Sequence, residues 1–338
     1  MSREAVLVTG GAGFIGSHVA RHLVERGYGV VVVDDLSGGF VENVPAGAEF
    51  VAGDAGDVGL IEGLFERHRF RHVFHLAAYA AEGLSHFIRG FNYRNNLLAS
   101  VTLINAAVRH QAATFVFTSS IAVYGRNQLP MSEDLVPAPE DPYGISKYAV
   151  ELDLRAAHEM FGLDWVVFRP HNVYGVNQNL GDPYRNVIGI FMNQIMQGKP
   201  LTIFGDGTQT RAFSHIDDVA PVIARSIEVP AAAGKVFNVG ADQPVSVGDL
   251  ARAVMRAMGK EVPVTHLPAR NEVVHAYATH ARVREVFPEA GAPVPLERGL
   301  AGMAAWAWKV GARQGKPFAG VEVERNLPPS WKALLTRS

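Results

Sequence analysis

Short runs of β-branched and aromatic residues punctuate the first half of the chain: Ala5 to Thr9, Val30 to Asp34, Phe50 to Gly53, His72 to Leu76 and Phe115 to Thr118. Between them apolar residues recur at helical spacing, as in Ile15, Val19, Leu23 and Val24. Near-continuous apolar strands separated by amphipathic helices predict a parallel sheet covered on both faces, because parallel neighbours need a crossover long enough to be a helix. The pattern is that of a doubly wound α/β domain. A long helix is predicted from Pro142 to Phe161: Asp141 can accept from its free amides, and proline suits a first-turn position whose N–H would lack a partner. A sixth strand, Trp165 to Arg169, follows. The alternation then loosens into loops rich in Gly, Asn and Asp between Asn177 and Arg185, which places a domain change near Gly175. Residues 1–175 form the first domain in this scheme, and 176–338 form a smaller α/β domain with strands Leu201 to Phe204 and Val236 to Val239 and helices Val247 to Met258 and Leu296 to Val310. Parts of 212–240 are expected to return to the first domain.

Composition narrows what such a chain can do. Its 338 residues suggest about two domains sharing a cleft. With 31 basic and 33 acidic side chains, a formal net charge of -2 and no block of like charge, the field needed to hold a polyanionic backbone is missing, so nucleic acid is not an expected partner. The longest apolar runs fall far short of the roughly 20 residues that span a bilayer, and Met1 to Val8 does not read as a signal peptide, so a cytosolic protein is expected. The absence of cysteine removes disulfides, thiolate nucleophiles and cysteine-ligated zinc together.

Immediately after the first strand stands Thr9-Gly10-Gly11-Ala12-Gly13-Phe14-Ile15-Gly16, followed by an apolar-periodic helix. Gly10, Gly13 and Gly16 allow a tight turn, close approach to a pyrophosphate and close helix–strand packing, while the helix N-terminus supplies free amides. In that strand-to-helix context the loop reads as a dinucleotide fingerprint. Asp34 ends the second strand eighteen residues beyond Gly16, where a carboxylate can accept both adenosine ribose hydroxyls and repel a 2'-phosphate; NAD is therefore favoured over NADP. Asp54, after the third strand, is a candidate adenine contact. Tyr143 and Lys147, four apart on the long helix, project from one face, and an ammonium together with the positive helix end favours phenolate over phenol. Ser119 and Ser120 end the fifth strand at the crevice where doubly wound sheets bind ligands. His72 and His75 are expected on opposite faces of a strand, and His215 with Asp217 and Asp218 reads as a helix cap, so no metal site is expected.

The Thr9–Gly16 loop, His75-Leu76-Ala77-Ala78, Thr118-Ser119-Ser120-Ile121-Ala122-Val123-Tyr124-Gly125, Pro142-Tyr143-Gly144-Ile145-Ser146-Lys147 and Arg169-Pro170-His171-Asn172-Val173-Tyr174-Gly175 together resemble the extended short-chain dehydrogenase/reductases. Their order and separations are similar to the branch of NAD-dependent nucleotide-sugar epimerases and dehydratases, over Val6 to about Arg284. The resemblance implies an NAD-binding Rossmann domain followed by a nucleotide-sugar-binding domain, and an enzyme most like the UDP-glucose and UDP-glucuronate 4-epimerases. It implies catalysis by Ser120, Tyr143 and Lys147, with Tyr143 and Lys147 also at the cofactor and Ser120 and Tyr143 also at the substrate. Phe14, Ile15, Ala77, Ala78, Asn95 and Pro170 join the cofactor positions; Asn172, Asn186, Val187, Arg211, Arg270 and Tyr277 join the substrate positions. A homodimer is implied, with the helices around Asn92 to Arg109 and Tyr143 to Phe161 packed across a two-fold axis; Leu97, Val101, Leu103 and Ile104 exceed one helical stripe, as a second buried face requires.

The chain departs from the family at three positions: His171 replaces a common aromatic residue, Ala80 stands where 4-epimerases often carry lysine, and Ala212 where they often carry aspartate. Relatives that eliminate water across C5 and C6, or decarboxylate at C5, usually carry an acid just after the catalytic serine; here Ile121 and Ala122 cannot exchange a proton. That leaves 4-epimerisation or 4-ketoreduction, unless a loop residue such as Glu82 or His171 supplies an acid. A dehydratase, a decarboxylase, a 4-ketoreductase or a non-catalytic NAD-binding regulator remain the alternatives at this stage.

Overall fold

In the computed structural model, which describes residues 3–126, 128–269, 273–315 and 317–335, the apolar runs of the first half enter one parallel sheet. Its strands β1 (Ala5–Thr9), β2 (Gly29–Asp34), β3 (Glu49–Ala52), β4 (His72–His75), β5 (Thr114–Thr118) and β6 (Asp164–Pro170) lie within a residue or so of the predicted runs. They are joined through helices α1 (Phe14–Glu25), α2 (Val58–His68), the short α3 (Glu82–Ser85) and α4 (Arg89–Tyr93), α5 (Ala99–Arg109) and α6 (Pro142–Phe161). Each strand feeds both faces of the sheet. Val6 and Val8 of β1 belong to one core cluster and Leu7 to the other, and β2 divides Val30 and Val32 from Val31 in the same way. This is why the strands read as unbroken apolar runs rather than alternating ones.

After β6 come β7 (Val173–Tyr174), α7 (Val187–Met196), β8 (Leu201–Phe204), β9 (Thr210–Ala212), β10 (Ser214–His215), α8 (Ile216–Arg225) and β11 (Lys235–Val239). Strand β11 joins the large sheet beside β6, in the order β11-β6-β5-β4-β1-β2-β3. Helix α8 packs against α1, its Val219 and Ile223 sharing the cluster of Val19 and Leu23. The remaining elements are β12 (Pro244–Ser246), α9 (Val247–Met258), β13 (Val264–Leu267), β14 (His275–Ala276), α10 (Ala281–Val286), α11 (Leu296–Val310) and α12 (Pro329–Leu335). Helices α7, α9 and α11 enclose a separate core around Phe191, Leu250 and Met303, while Val283 and Phe287 return to the sheet.

The strand order reverses direction at β1 and β4, so their carboxyl ends open a crevice at the centre of the sheet. The loops after β1, β4, β5 and β6 all leave from that edge. No helix among the described residues is long and apolar enough to cross a membrane.

Candidate active site

A cleft of about 1680 Å³ runs along this edge and into the second half of the chain. At one end it is lined by the glycine loop. Gly10 turns with φ +71°, and a Cβ there would come within 2.6 Å of Ala77 N on the neighbouring loop. At Gly16 a Cβ would collide with the Gly10 carbonyl, so α1 can begin this close to β1 only with glycine. The Asp34 carboxylate is set at the end of β2 by two amides, accepting from Ala12 N (3.0 Å) and Leu36 N (2.8 Å). Burial pushes its pKa up, and those amides work against the shift. The glycine cradle, the free amides of α1 and a fixed carboxylate at the β2 end together fit an adenine dinucleotide with an unmodified ribose. Gly13, Phe14, Ile15, Asp54, Ala77, Ala78, Asn95 and Pro170 line the same cleft.

The candidate reacting groups stand on α6 and at the end of β5. Asp141 caps the helix by accepting from Gly144 N (2.9 Å), with Pro142 in the first turn, which presents Tyr143 and Lys147 one turn apart. Lys147 is 2% exposed; its Nζ donates to Thr118 O (2.8 Å) and lies 5.8 Å from the Tyr143 ring centroid. Burial lowers the ammonium to about 7, against the pull of Glu151. Burial also raises the Tyr143 phenol, and a hydrogen bond with Ser120 opposes that rise. The spacing predicts that Lys147 and the helix terminus favour phenolate; burial instead raises the phenol, and the Lys147 ammonium is engaged by the Thr118 carbonyl.

Behind these groups lies an ion pair the sequence motifs did not single out. Glu151, fully buried, accepts from Ser119 Oγ (2.6 Å), Arg169 Nε (2.9 Å) and Arg169 Nη2 (2.5 Å). Arg169 lies over the Tyr124 ring, and Tyr124 Oη donates to Asn238 Oδ1 (2.8 Å). The only hint in the sequence is that Glu151 continues the Tyr143–Lys147 spacing by another four residues.

Asn172, Asn186, Val187 and Arg211 line the second half of the cleft. Asn172 has φ +40° and donates to Ala212 O (3.1 Å); Asn186 precedes α7 with φ +63°. The Arg211 guanidinium is turned onto the carbonyls of Thr210 (2.9 Å), Val274 (2.8 Å) and Val273. Tyr277 lies off the cleft wall, where Val273 and Ala276 stand instead, and its carbonyl accepts from Met131 N (3.0 Å). Arg270 lies outside the described residues.

Both suspected loop acids are located. His171 is 3% exposed, its Nδ1–H donates to Ala212 O (3.1 Å) and its Nε2 meets His280 Nε2 at 3.0 Å, so neither nitrogen is available to a sugar. Burial lowers it to about 3. Glu82 opens α3 and lines the cleft. His75 is likewise engaged at both nitrogens, by Thr9 Oγ1 (2.7 Å) and Ser100 Oγ (2.8 Å), and His215 caps α8 by accepting from Asp217 N (3.3 Å).

Comparison with known proteins adds four findings. The sequence profile of the NAD dependent epimerase/dehydratase family matches residues 6–240. A UDP-glucose 4-epimerase of Mycolicibacterium smegmatis is 36% identical, the match covering 83% of this chain and 91% of the relative. Among solved structures, UDP-glucose 4-epimerase of Thermotoga maritima with UDP-glucose superposes with a TM-score of 0.85 at 34% identity, covering 90% of this chain and 99% of that one. The Thermus thermophilus UDP-glucose 4-epimerase complex with NAD gives 0.82 at 30% identity, covering 89% and 98%.

Proposed function

The chain belongs to the NAD-dependent epimerase/dehydratase family, and on that premise we propose that it is an NAD-dependent nucleotide-sugar 4-epimerase acting on a UDP-hexose or UDP-hexuronate. NAD held by the Gly10–Gly16 loop and Asp34 would supply reversible hydride acceptance at the sugar C4. Tyr143 takes the proton of the C4 hydroxyl, and Ser120 hydrogen-bonds the ketone oxygen as it forms. Lys147 stands buried one turn from Tyr143, and its ammonium, lowered to about 7, adds positive charge there below that pH. Asn172, Asn186, Val187 and Arg211, with Arg270 and Tyr277 on the strength of the resemblance, hold the nucleotide diphosphate while the sugar turns its other face. In this division of labour residues 1–175 with parts of 212–240 bind cofactor, and the rest of 176–338 binds the nucleotide sugar.

The observation that carries the choice of reaction is the pair after Ser120. Ile121 and Ala122 open a single 3-10 turn, with Ser120 Oγ accepting from Ala122 N (3.1 Å), and neither side chain can exchange a proton with C5 or C6. His171 is committed elsewhere. Glu82 is the suspected acid that stays on the cleft wall, so the choice rests on the pair after Ser120, which equips the site to hold a ketone and return the hydride. Incubating the protein with UDP-glucose and UDP-glucuronate in deuterium oxide and following products by NMR tests this: C4 epimers should form without deuterium at C5. A 4-keto-6-deoxy product, carbon dioxide release or label at C5 would refute it.

The working unit is proposed to be a cytosolic homodimer. Leu103 and Ile104 are spent in the sheet core, and Leu97 and Val101 are only half-buried. Apolar residues that remain outward include Leu98 on the turn before α5, and Ile145 and Leu152 on α6, at 56%, 39% and 47% exposed, with Met160 and Phe161 exposed at the far end of α6. Since α5 and α6 pack side by side, they can form one patch for a second copy.

A further inference from the structure

The last stretch of the chain, which no sequence motif explained, lines part of the cleft. It is anchored on both sides. On the first, the Glu322 carboxylate accepts from Gly90 N (2.7 Å) and Phe91 N (2.8 Å) at the start of α4, and the Glu322 N–H donates to Phe87 O (2.8 Å). On the second, Phe318 N donates to Tyr184 Oη (3.0 Å), in the loop that leads to Asn186. The Phe318 ring packs against Tyr79 and Phe91, with centroids 5.2 and 4.8 Å away. Trp331, 4% exposed, packs edge-on against Tyr184 (5.4 Å) and Phe87 (6.3 Å) and covers Gly83, where a Cβ would come within 3.3 Å of the indole.

This segment therefore joins α3 and α4 to the Tyr184 loop, and its residues from Arg325 to Trp331 form part of the cleft wall. The wall stands at the Tyr143 end. Ser85 Oγ donates to Asp141 Oδ1 (3.3 Å), tying α3 to the cap of the helix that carries Tyr143. Glu82, beside Gly83, and Arg185, beside Tyr184, are among the charges that act on the Tyr143 phenol.

We propose that the segment from Phe318 to Trp331 is the outer wall of the sugar subsite and decides which sugars can turn within it, with Trp331 as a specificity-determining residue. The proposal rests on the 4-epimerase reading, because a sugar that must offer both faces of C4 needs room to rotate, and a wall here fixes that room. The same wall keeps the keto sugar in place until the hydride returns. Each keto sugar that escapes leaves one hydride on the cofactor and one proton on Tyr143, so the reduced cofactor left on the enzyme counts the escapes.

The test compares wild type, Trp331→Ala and Glu322→Ala with UDP-glucose, UDP-glucuronate and UDP-N-acetylglucosamine. Bound NAD and thermal melting report whether each variant is folded. Trp331→Ala should raise kcat/KM for UDP-N-acetylglucosamine relative to UDP-glucose by about tenfold, the size expected when a pocket wall loses a side chain, and should leave several times more cofactor reduced after turnover. Glu322→Ala, an exposed change that only unpins the segment, should move both readings in the same direction by less. It decides the matter if Trp331→Ala fails to hold NAD. Folded, NAD-loaded variants with wild-type ratios and wild-type reduced fractions would overturn the proposal alone. A wild type that epimerises none of the three sugars would overturn the 4-epimerase reading and this proposal with it.

Discussion

At Tyr143 the proposed chemistry is confined to one oxygen. Tyr143→Phe keeps the ring and its packing while removing the proton acceptor, so UDP-sugar affinity should hold while kcat falls by about 10²–10⁴. Near-normal turnover would move the base to another residue. Lys147 makes a prediction of a different kind. Its folded pKa, about 7, lies below its ordinary value of 10.5, so between those values the folded protein binds fewer protons than the unfolded chain. Such a group costs stability below the folded value, and the cost fades as the pH rises towards the ordinary one. Lys147→Met should thus be inactive, and its stability relative to wild type should be greatest on the acid side, with the difference falling as the pH rises. Urea unfolding across that range checks it, and a gap that widens with pH would sink the assignment. Asp34 should select the cofactor: calorimetry should show NAD bound far more tightly than NADP, and equal affinities would remove the role given to its carboxylate. The spacing of Tyr143 and Lys147 was legible because it is local. The burial that lowers Lys147, and the pairing of Glu151 with Arg169 across eighteen residues, depend on where α6 lies on the sheet.

Among elements, α6 matters most because its first turn carries the site. Asp141→Ala removes the acceptor for Gly144 N and the tie to Ser85, and should cost about 1 kcal/mol with some loss of activity. The start of α1 is less tolerant. Gly16→Ala would push a methyl group into the Gly10 carbonyl, so the variant should lose NAD binding, measured by the cofactor retained after purification. Long elements were readable from the sequence for physical reasons. Helices Pro142–Phe161, Val247–Met258 and Leu296–Val310 have the predicted bounds, and the first two carry side-chain caps, Asp141 and Ser246, and end at Gly162 and Gly259 in the left-handed conformation. The short α3 escaped notice, and the helix expected around Asn92 to Arg109 is divided into α4, the wide π turn Arg94–Leu98 and α5, since pieces of four or five residues show no period of their own and are held by their neighbours.

For the whole molecule, the exposed Leu98, Ile145 and Leu152 carry the expectation of a dimer. Light scattering should give twice the chain mass at micromolar concentration, and Leu152→Arg should give a monomer that keeps its fold. A monomeric wild type would count against the patch as an interface.

Fold class and the chemistry of the central edge were determined by the sequence itself. Apolar runs and helical periods specify a parallel sheet, and a glycine loop after the first strand works through backbone conformation alone. Tertiary structure decided the rest. It set β11 beside β6 and α8 on α1, paired His171 with His280 so that both nitrogens of a suspected acid are engaged, and laid Phe318 to Trp331 against Tyr79, Phe87, Phe91 and Tyr184 beside the cleft. These arrangements join residues far apart in the chain, and none leaves a repeating pattern. The C-terminal segment shows this most clearly: Phe318 and, on the short α12, Trp331 dock onto Tyr79, Phe87, Phe91 and Tyr184, surfaces that exist only after the rest of the chain has folded.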